Sequence, residues 1–136
     1  MSKVHAYIGF DGNCQEAMTF YQSALGGELD VQFVAESPAA AQMPVEMGPK
    51  VIHSSLTHEG FVLMASDMMS STDLQRSQSV SLMLECHSAE EIERLFDQLG
   101  RGGHVTQPLT ASFWGSTFGQ LTDQYGIHWL FDHTHA

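Results

Sequence analysis

Two helix signals with the same grammar stand 75 residues apart in this chain of 136, and they constrain its fold more than any other feature. In the first, Asn13-Cys14-Gln15-Glu16 has the form of a capping box, a side-chain oxygen followed three residues later by a carboxylate. Ala17, Phe20, Tyr21 and Leu25 then recur at helical spacing, and Gly26-Gly27 supplies a stop. In the second, Ser88-Ala89-Glu90-Glu91 is the capping box. Ile92, Leu95, Phe96 and Leu99 follow at the same spacing, and Gly100, Gly102 and Gly103 end the run. Asn13 and Ser88, Glu16 and Glu91, Phe20 and Leu95, and Tyr21 and Phe96 are each 75 residues apart, which marks an internal duplication.

The strand signals repeat as well. Ahead of the first helix, Val4, Ala6, Ile8 and Phe10 alternate with His5, Tyr7 and Gly9; ahead of the second, Val80, Leu82, Leu84 and Cys86 alternate with Ser81, Met83 and Glu85. Period two gives each strand two distinct faces. The strand offset is 76 where the helix offset is 75, so the first strand-to-helix turn, Asp11-Gly12, carries one extra residue against the lone His87. Three more strand-like runs follow each helix, at 28–35, 51–58 and 61–66 and then at 104–109, 115–122 and 127–132. Glu59-Gly60 and Tyr125-Gly126 are the turns before the last strand of each half. The expected fold class is α+β, two tandem β-α-β-β-β modules at about 1–67 and 79–136.

Two segments break the pattern. Residues 36–50 hold three of the four prolines and read as a long loop; residues 68–78 are polar, lack alternation and read as the linker between the modules. The length suits one well-buried core, and 43% hydrophobic with 15% charged residues is a globular composition. No apolar run reaches the length of a membrane span, and the N-terminus lacks the form of a signal peptide, so a cytoplasmic protein without membrane association is expected. The formal charge of −11 repels phosphate backbones, so nucleic acid is not expected as a partner. Cys14 and Cys86 have no metal-ligand spacing and read as reduced, structural thiols.

These modules, with FDGNC…A…FY at 10–21, ASD at 65–67 and SFWGSTFGQLTDQYGIHWLF at 112–131, resemble the vicinal oxygen chelate superfamily, and within it the PhnB-like branch. The resemblance runs nearly end to end. It implies the glyoxalase/bleomycin resistance/dihydroxybiphenyl dioxygenase fold, a single domain whose curved mixed sheets surround a cleft, and a homodimer. Some members of the branch are described as ubiquinone-pathway methyltransferases, but no glycine-rich nucleotide loop follows a strand and opens a helix here.

Metal-dependent members of the superfamily take one ligand from the first strand and one carboxylate from the last strand of each module. Carried onto this chain through the repeat, those positions are His5 and Ser81 on the first strands and Met64 and Leu130 on the last. Only His5 binds a hard divalent ion, so no metal or other cofactor is expected. A divalent metal stays open as the alternative, because His5, His53, Glu85 and His128 share the alternating face and are adequate ligands if they converge. The opposing reading is that each histidine hydrogen-bonds a neighbouring group.

The remaining candidates line the same face. His5 and Tyr7 either orient a ligand or form an interior polar pair; Ser55, Ser81, Met83 and Glu85 complete a pocket with His53 and His128. Phe113 and Trp114 form a pocket wall or else core or dimer contacts. Trp129, on the opposite face, is expected under a helix, and His133 and His135 in a frayed tail. Methionines such as Met43, Met47, Met64, Met68, Met69 and Met83 suit either an adaptable pocket or loop filling. No nucleophile elbow is present, and Glu90-Glu91 suit the positive end of a helix. The expected function is small-molecule binding without a standard metal site. The alternatives are a metal-dependent glyoxalase, dioxygenase or resistance-type enzyme, and a catalytically silent interaction module.

Overall fold

Alternation in the two N-terminal segments becomes the edge strands β1 (Ala6–Gly9) and β5 (Leu82–Glu85), shorter by two residues at the start than the pattern suggested. The computed structural model describes residues 2–69, 72, 74–77, 79–113 and 115–134, in two units, Met1–Gln75 and Arg76–Ala136, divided inside the segment read as a linker. The first unit continues with α1 (Cys14–Leu25), β2 (Glu28–Phe33), β3 (Val51–His58) and β4 (Phe61–Ser66). The second continues with α2 (Ala89–Gly100), β6 (His104–Ala111), β7 (Ser116–Thr122) and β8 (His128–Thr134).

Each unit is a β-α-β-β-β module with a four-stranded mixed sheet, in the orders β1-β4-β3-β2 and β5-β8-β7-β6. The first strand runs parallel to the last and the other pairings are antiparallel. Even the register repeats: Tyr7 lies opposite Met64 and Met83 opposite Leu130, while the next bonds run from Phe10 N to Ser66 O and from Cys86 N to Asp132 O.

One helix covers one face of each sheet. In α2, Ile92, Leu95 and Leu99 are buried as their spacing predicts, and Phe96 meets Phe131 edge-on at 5.0 Å. A Cβ on Gly119 would fall 2.8 Å from both Phe96 and Leu109, so the bare strand position lets these two side chains close over it beneath the helix. In α1 the buried stripe is Cys14, Ala17, Met18, Tyr21 and Ala24, rotated from the expected one: Phe20 and Leu25 are only half-buried. Small residues at 14, 17 and 24 let the helix approach the sheet closely, and periodicity weighted toward large side chains misses that.

The two helix starts differ in a way their sequences hide. Ser88 accepts a hydrogen bond from Glu91 N at 3.0 Å, as in a capping box, while Glu91 reaches back past the cap to His87 N at 2.8 Å. Asn13 makes no side-chain cap bond. Its role passes to Asp67, whose Oδ1 accepts from Gly12 N at 2.8 Å and Cys14 N at 2.9 Å while Oδ2 accepts from Val51 N at 2.9 Å. A buried carboxylate from the end of β4 thus closes the helix N-terminus and ties it to the start of β3.

Residues 36–50 are more ordered than a plain loop. They fold with their flank into short 3₁₀ turns at Val34–Glu36, Pro38–Gln42 and Val45–Met47, and Val34 N bonds Lys50 O at 2.9 Å to bring the ends together. Lys50 also pairs with Asp11 at 2.6 Å. His133 is not frayed: it lies in β8, with Nδ1 3.1 Å from Cys86 O, while His135 falls outside the described residues.

Both cysteines are buried and free. Burial pushes the Cys14 thiol up from 9.0 to about 11, offset by the Ser54 hydroxyl and reinforced by the charge of Asp67. Burial raises Cys86 to about 11 as well, with Glu91 and Asp132 adding to the effect and Arg94 opposing it. Above pH 9 the unfolded chain releases these two protons while the folded chain keeps them, so stability is lost as pH rises from 9 toward about 11. Urea titrations across that range will show a steeper loss for the native chain than for a Cys14→Ala/Cys86→Ala variant; equal slopes contradict the assignment.

Candidate functional site

The face of each sheet opposite its helix carries the functional candidates. In the first unit the register lines up Tyr7, Met64, Ser55 and Asp30 across the sheet, with His53 beside Gln32 one row along on the same face. Tyr7 is 54% exposed, and its hydroxyl lies 3.4 Å from His53 Nδ1 with the rings 6.0 Å apart. Tyr7 therefore pairs with His53 and not with His5, which lies exposed ahead of β1. His5 and Tyr7 form no interior polar pair.

In the second unit the corresponding row is Met83, Leu130, Gln120 and Gln107. On one side of it Glu85 lies beside Asp132, and on the other His128 lies beside Thr122, with Nδ1 2.8 Å from the threonine hydroxyl. Ser81, Thr106, Gln120, His128 and Leu130, together with Leu121 and Trp129 of the same strands, line a hollow of about 130 Å³. That is smaller than the roughly 300–1,000 Å³ of a pocket enclosing a drug-sized ligand, and suits the end of a molecule. Phe113 is 97% exposed in the turn between β6 and β7, so it forms no wall of this hollow; Trp114 lies outside the described residues. Trp129 is buried on the helix side, as expected, with Nε1 donating to Asp123 Oδ2 at 2.9 Å.

Charge on these faces is one-sided. Asp30, Glu28, Glu85 and Asp132 all lie on strands, whereas Lys3, Lys50, Arg76, Arg94 and Arg101 all lie outside them. Such faces disfavour an anionic ligand.

The family model described as 3-demethylubiquinone-9 3-methyltransferase matches residues 2–131. Protein YjdN of Escherichia coli is 33% identical over 134 residues, covering 91% of this chain and 90% of that protein. The chain belongs to this PhnB-like family. Among solved structures, PA1353 of Pseudomonas aeruginosa superposes on the PhnB-like chain with a TM-score of 0.83 at 34% identity, covering 98% of each. The PhnB protein of Bacillus cereus superposes with a TM-score of 0.78 at 28% identity, over 98% of this chain and 100% of that one. A glyoxalase/bleomycin resistance protein/dioxygenase family enzyme from Burkholderia phytofirmans, at 10% identity and a TM-score of 0.63 over 96% of this chain and 98% of that one, shares the fold alone.

The positions that the resemblance assigns to the last-strand metal ligands hold Met64 and Leu130. Met64 and Leu130 occupy equivalent places on the last strands, opposite Tyr7 and Met83, and neither offers the oxygen that a hard divalent cation takes. Among the described residues of either unit, no three His, Cys, Asp or Glu side chains group in a way that could hold a metal.

The sequence reading missed Thr122, Gln120 and Thr106. Continuing the alternation of the run at 115–122 would have found two of them: Phe118, Gln120 and Thr122 share the face of His128. It also missed Asp123, buried after β7, whose Oδ1 accepts from Tyr125 N at 2.8 Å and Ile127 N at 3.1 Å. With its other oxygen on Trp129, Asp123 fixes the turn that delivers His128.

Proposed function

We propose that this PhnB-like chain binds a small, uncharged molecule on the helix-free faces of its sheets, without the divalent ion and its carboxylate ligands that metal-dependent relatives of the fold use. The observation that carries this reading is the pair of apolar side chains Met64 and Leu130 at equivalent register positions, where the resemblance would put carboxylates. On the first unit's face Met64 shares the sheet with the Tyr7–His53 pair, and on the second unit's face Leu130 lies with the deformable Met83 and the Thr122–His128 pair, so each face has a few directed polar groups of its own. Apolar walls with a polar minority are the usual make-up of a small-molecule site. A methyl-transfer activity finds less support, since neither Asp11-Gly12-Asn13 nor His87-Ser88 is a glycine-rich turn able to cradle a nucleotide.

The same reading includes a homodimer, supported by the apolar Val4, Tyr7, Val80 and Met83 left exposed along both first-strand segments. A neutral fragment library followed by nitrogen–proton correlation spectra tests both parts. Shifts gathering on Tyr7, His53, Met83, Gln120 and His128, on a particle tumbling at twice the 15.0 kDa chain mass, are expected. Shifts scattered over the helix-covered faces contradict the binding reading. A catalytically silent interaction module is the reading left if no fragment binds.

A further inference from the structure

Thr122 has a place in this site that the sequence pattern did not reveal. It lies at the end of β7, directly across from His128 on β8, and is only 8% exposed. Its hydroxyl lies 2.8 Å from His128 Nδ1, and that ring nitrogen is its hydrogen-bond partner among the described residues. Two arrangements of the proton satisfy that distance. If Nδ1 carries the proton and donates it, the threonine hydroxyl hydrogen is left without a protein acceptor in a part-buried position, which costs part of the desolvation penalty of an unpaired donor. If the hydroxyl donates to a bare Nδ1, both groups are satisfied, and the neutral ring carries its proton on Nε2.

We propose that Thr122 is a positioning residue: it holds His128 as the Nε2–H tautomer, so that the ring offers a hydrogen-bond donor to the hollow beside Ser81, Gln120 and Leu130. The inference rests on the reading of the helix-free faces as a ligand surface and gives it a chemical class. A donor in a hollow of about 130 Å³, on a face whose strands carry carboxylates and no Lys or Arg, selects a small, uncharged hydrogen-bond acceptor. A carbonyl group of an amide, ketone or ester has that chemistry; a carboxylate or phosphate also accepts but meets an unfavourable field.

Long-range nitrogen–proton spectra of His128 at about pH 8.5, where imidazole side chains are in general neutral, read the tautomer without a ligand. The native chain and Thr122→Ser will show the Nε2–H form, while Thr122→Val, checked for folding by its backbone spectrum, will show a mixture of tautomers. Acetamide, titrated into each, will shift the His128 signals of the native chain and of Thr122→Ser, several-fold less in Thr122→Val, and acetate will shift them less than acetamide. An Nδ1–H tautomer in the native chain, or one unchanged in Thr122→Val, overturns the positioning role and leaves the ligand surface standing. The expected tautomers without any acetamide response overturn the hollow as a ligand site, and the inference with it. A stronger response to acetate than to acetamide overturns the uncharged class.

Discussion

Replacing Asp67 with alanine will lower the stability of the chain by about 4 kcal/mol. The residue is 2% exposed, and its two oxygens accept three backbone N–H bonds, from Gly12, Cys14 and Val51. Alanine leaves all three donors without their acceptor and removes the negative charge at the start of α1, where Asn13 makes no side-chain cap bond to compensate. Asparagine keeps one acceptor oxygen and should cost roughly half as much. Urea unfolding followed by circular dichroism measures both. A loss below about 1 kcal/mol for Asp67→Ala contradicts this account of how the first module is closed.

Glycine 103 is the second sensitive point, for a different reason. A Cβ there would run into the Thr122 carbonyl oxygen and fall 2.8 Å from the Asp123 carbonyl carbon, both backbone atoms that cannot swing aside. Gly27 is its counterpart in the first module: at φ +101, with its Cβ position 2.6 Å from the Thr57 carbonyl oxygen. In both modules the chain leaving the helix crosses tightly over the end of a neighbouring strand. Gly103→Ala is expected to cost about 3 kcal/mol, from displaced backbone with no change in chemistry. Gly60→Ala, where nothing lies within 4 Å of the added atom, is the control and should change stability by well under 1 kcal/mol. Equal urea midpoints for the two variants would remove the close crossing from the account.

That shared crossing shows why the architecture was legible in the sequence. Helix spacing, strand alternation and terminal glycines all repeat because each module solves the same packing problem, and the offsets of 75 and 76 transfer directly into equivalent registers. Period two alone sets Tyr7 apart from Ile8 and His53 and Ser55 apart from Ser54, as it sets Met83 and Glu85 apart from Leu84 and His128 apart from Trp129, and the registers align those rows across each sheet. What the sequence could not give was partnership over distance. Asn13 looked like a cap, but Asp67, 54 residues later, holds the position; Tyr7 looked paired with His5, but its neighbour across the sheet is His53. Nothing in a local pattern distinguishes a carboxylate that closes a helix from one that faces solvent. The Thr122–His128 bond belongs to the same class, a cross-strand contact that depends on register.

The repeat that defines the fold sets Met64 and Leu130 at equivalent places, and the proposed function rests on taking these, as the resemblance implies, for the positions of metal-binding carboxylates. Elemental analysis of the native protein, joined to thermal-shift titration with Zn²⁺, Ni²⁺, Mn²⁺ and Fe²⁺, measures this most directly. The account predicts metal far below one ion per chain and no rise in Tm with any of the four. One tightly held ion per chain, with a Tm that climbs as that ion is added, would contradict it.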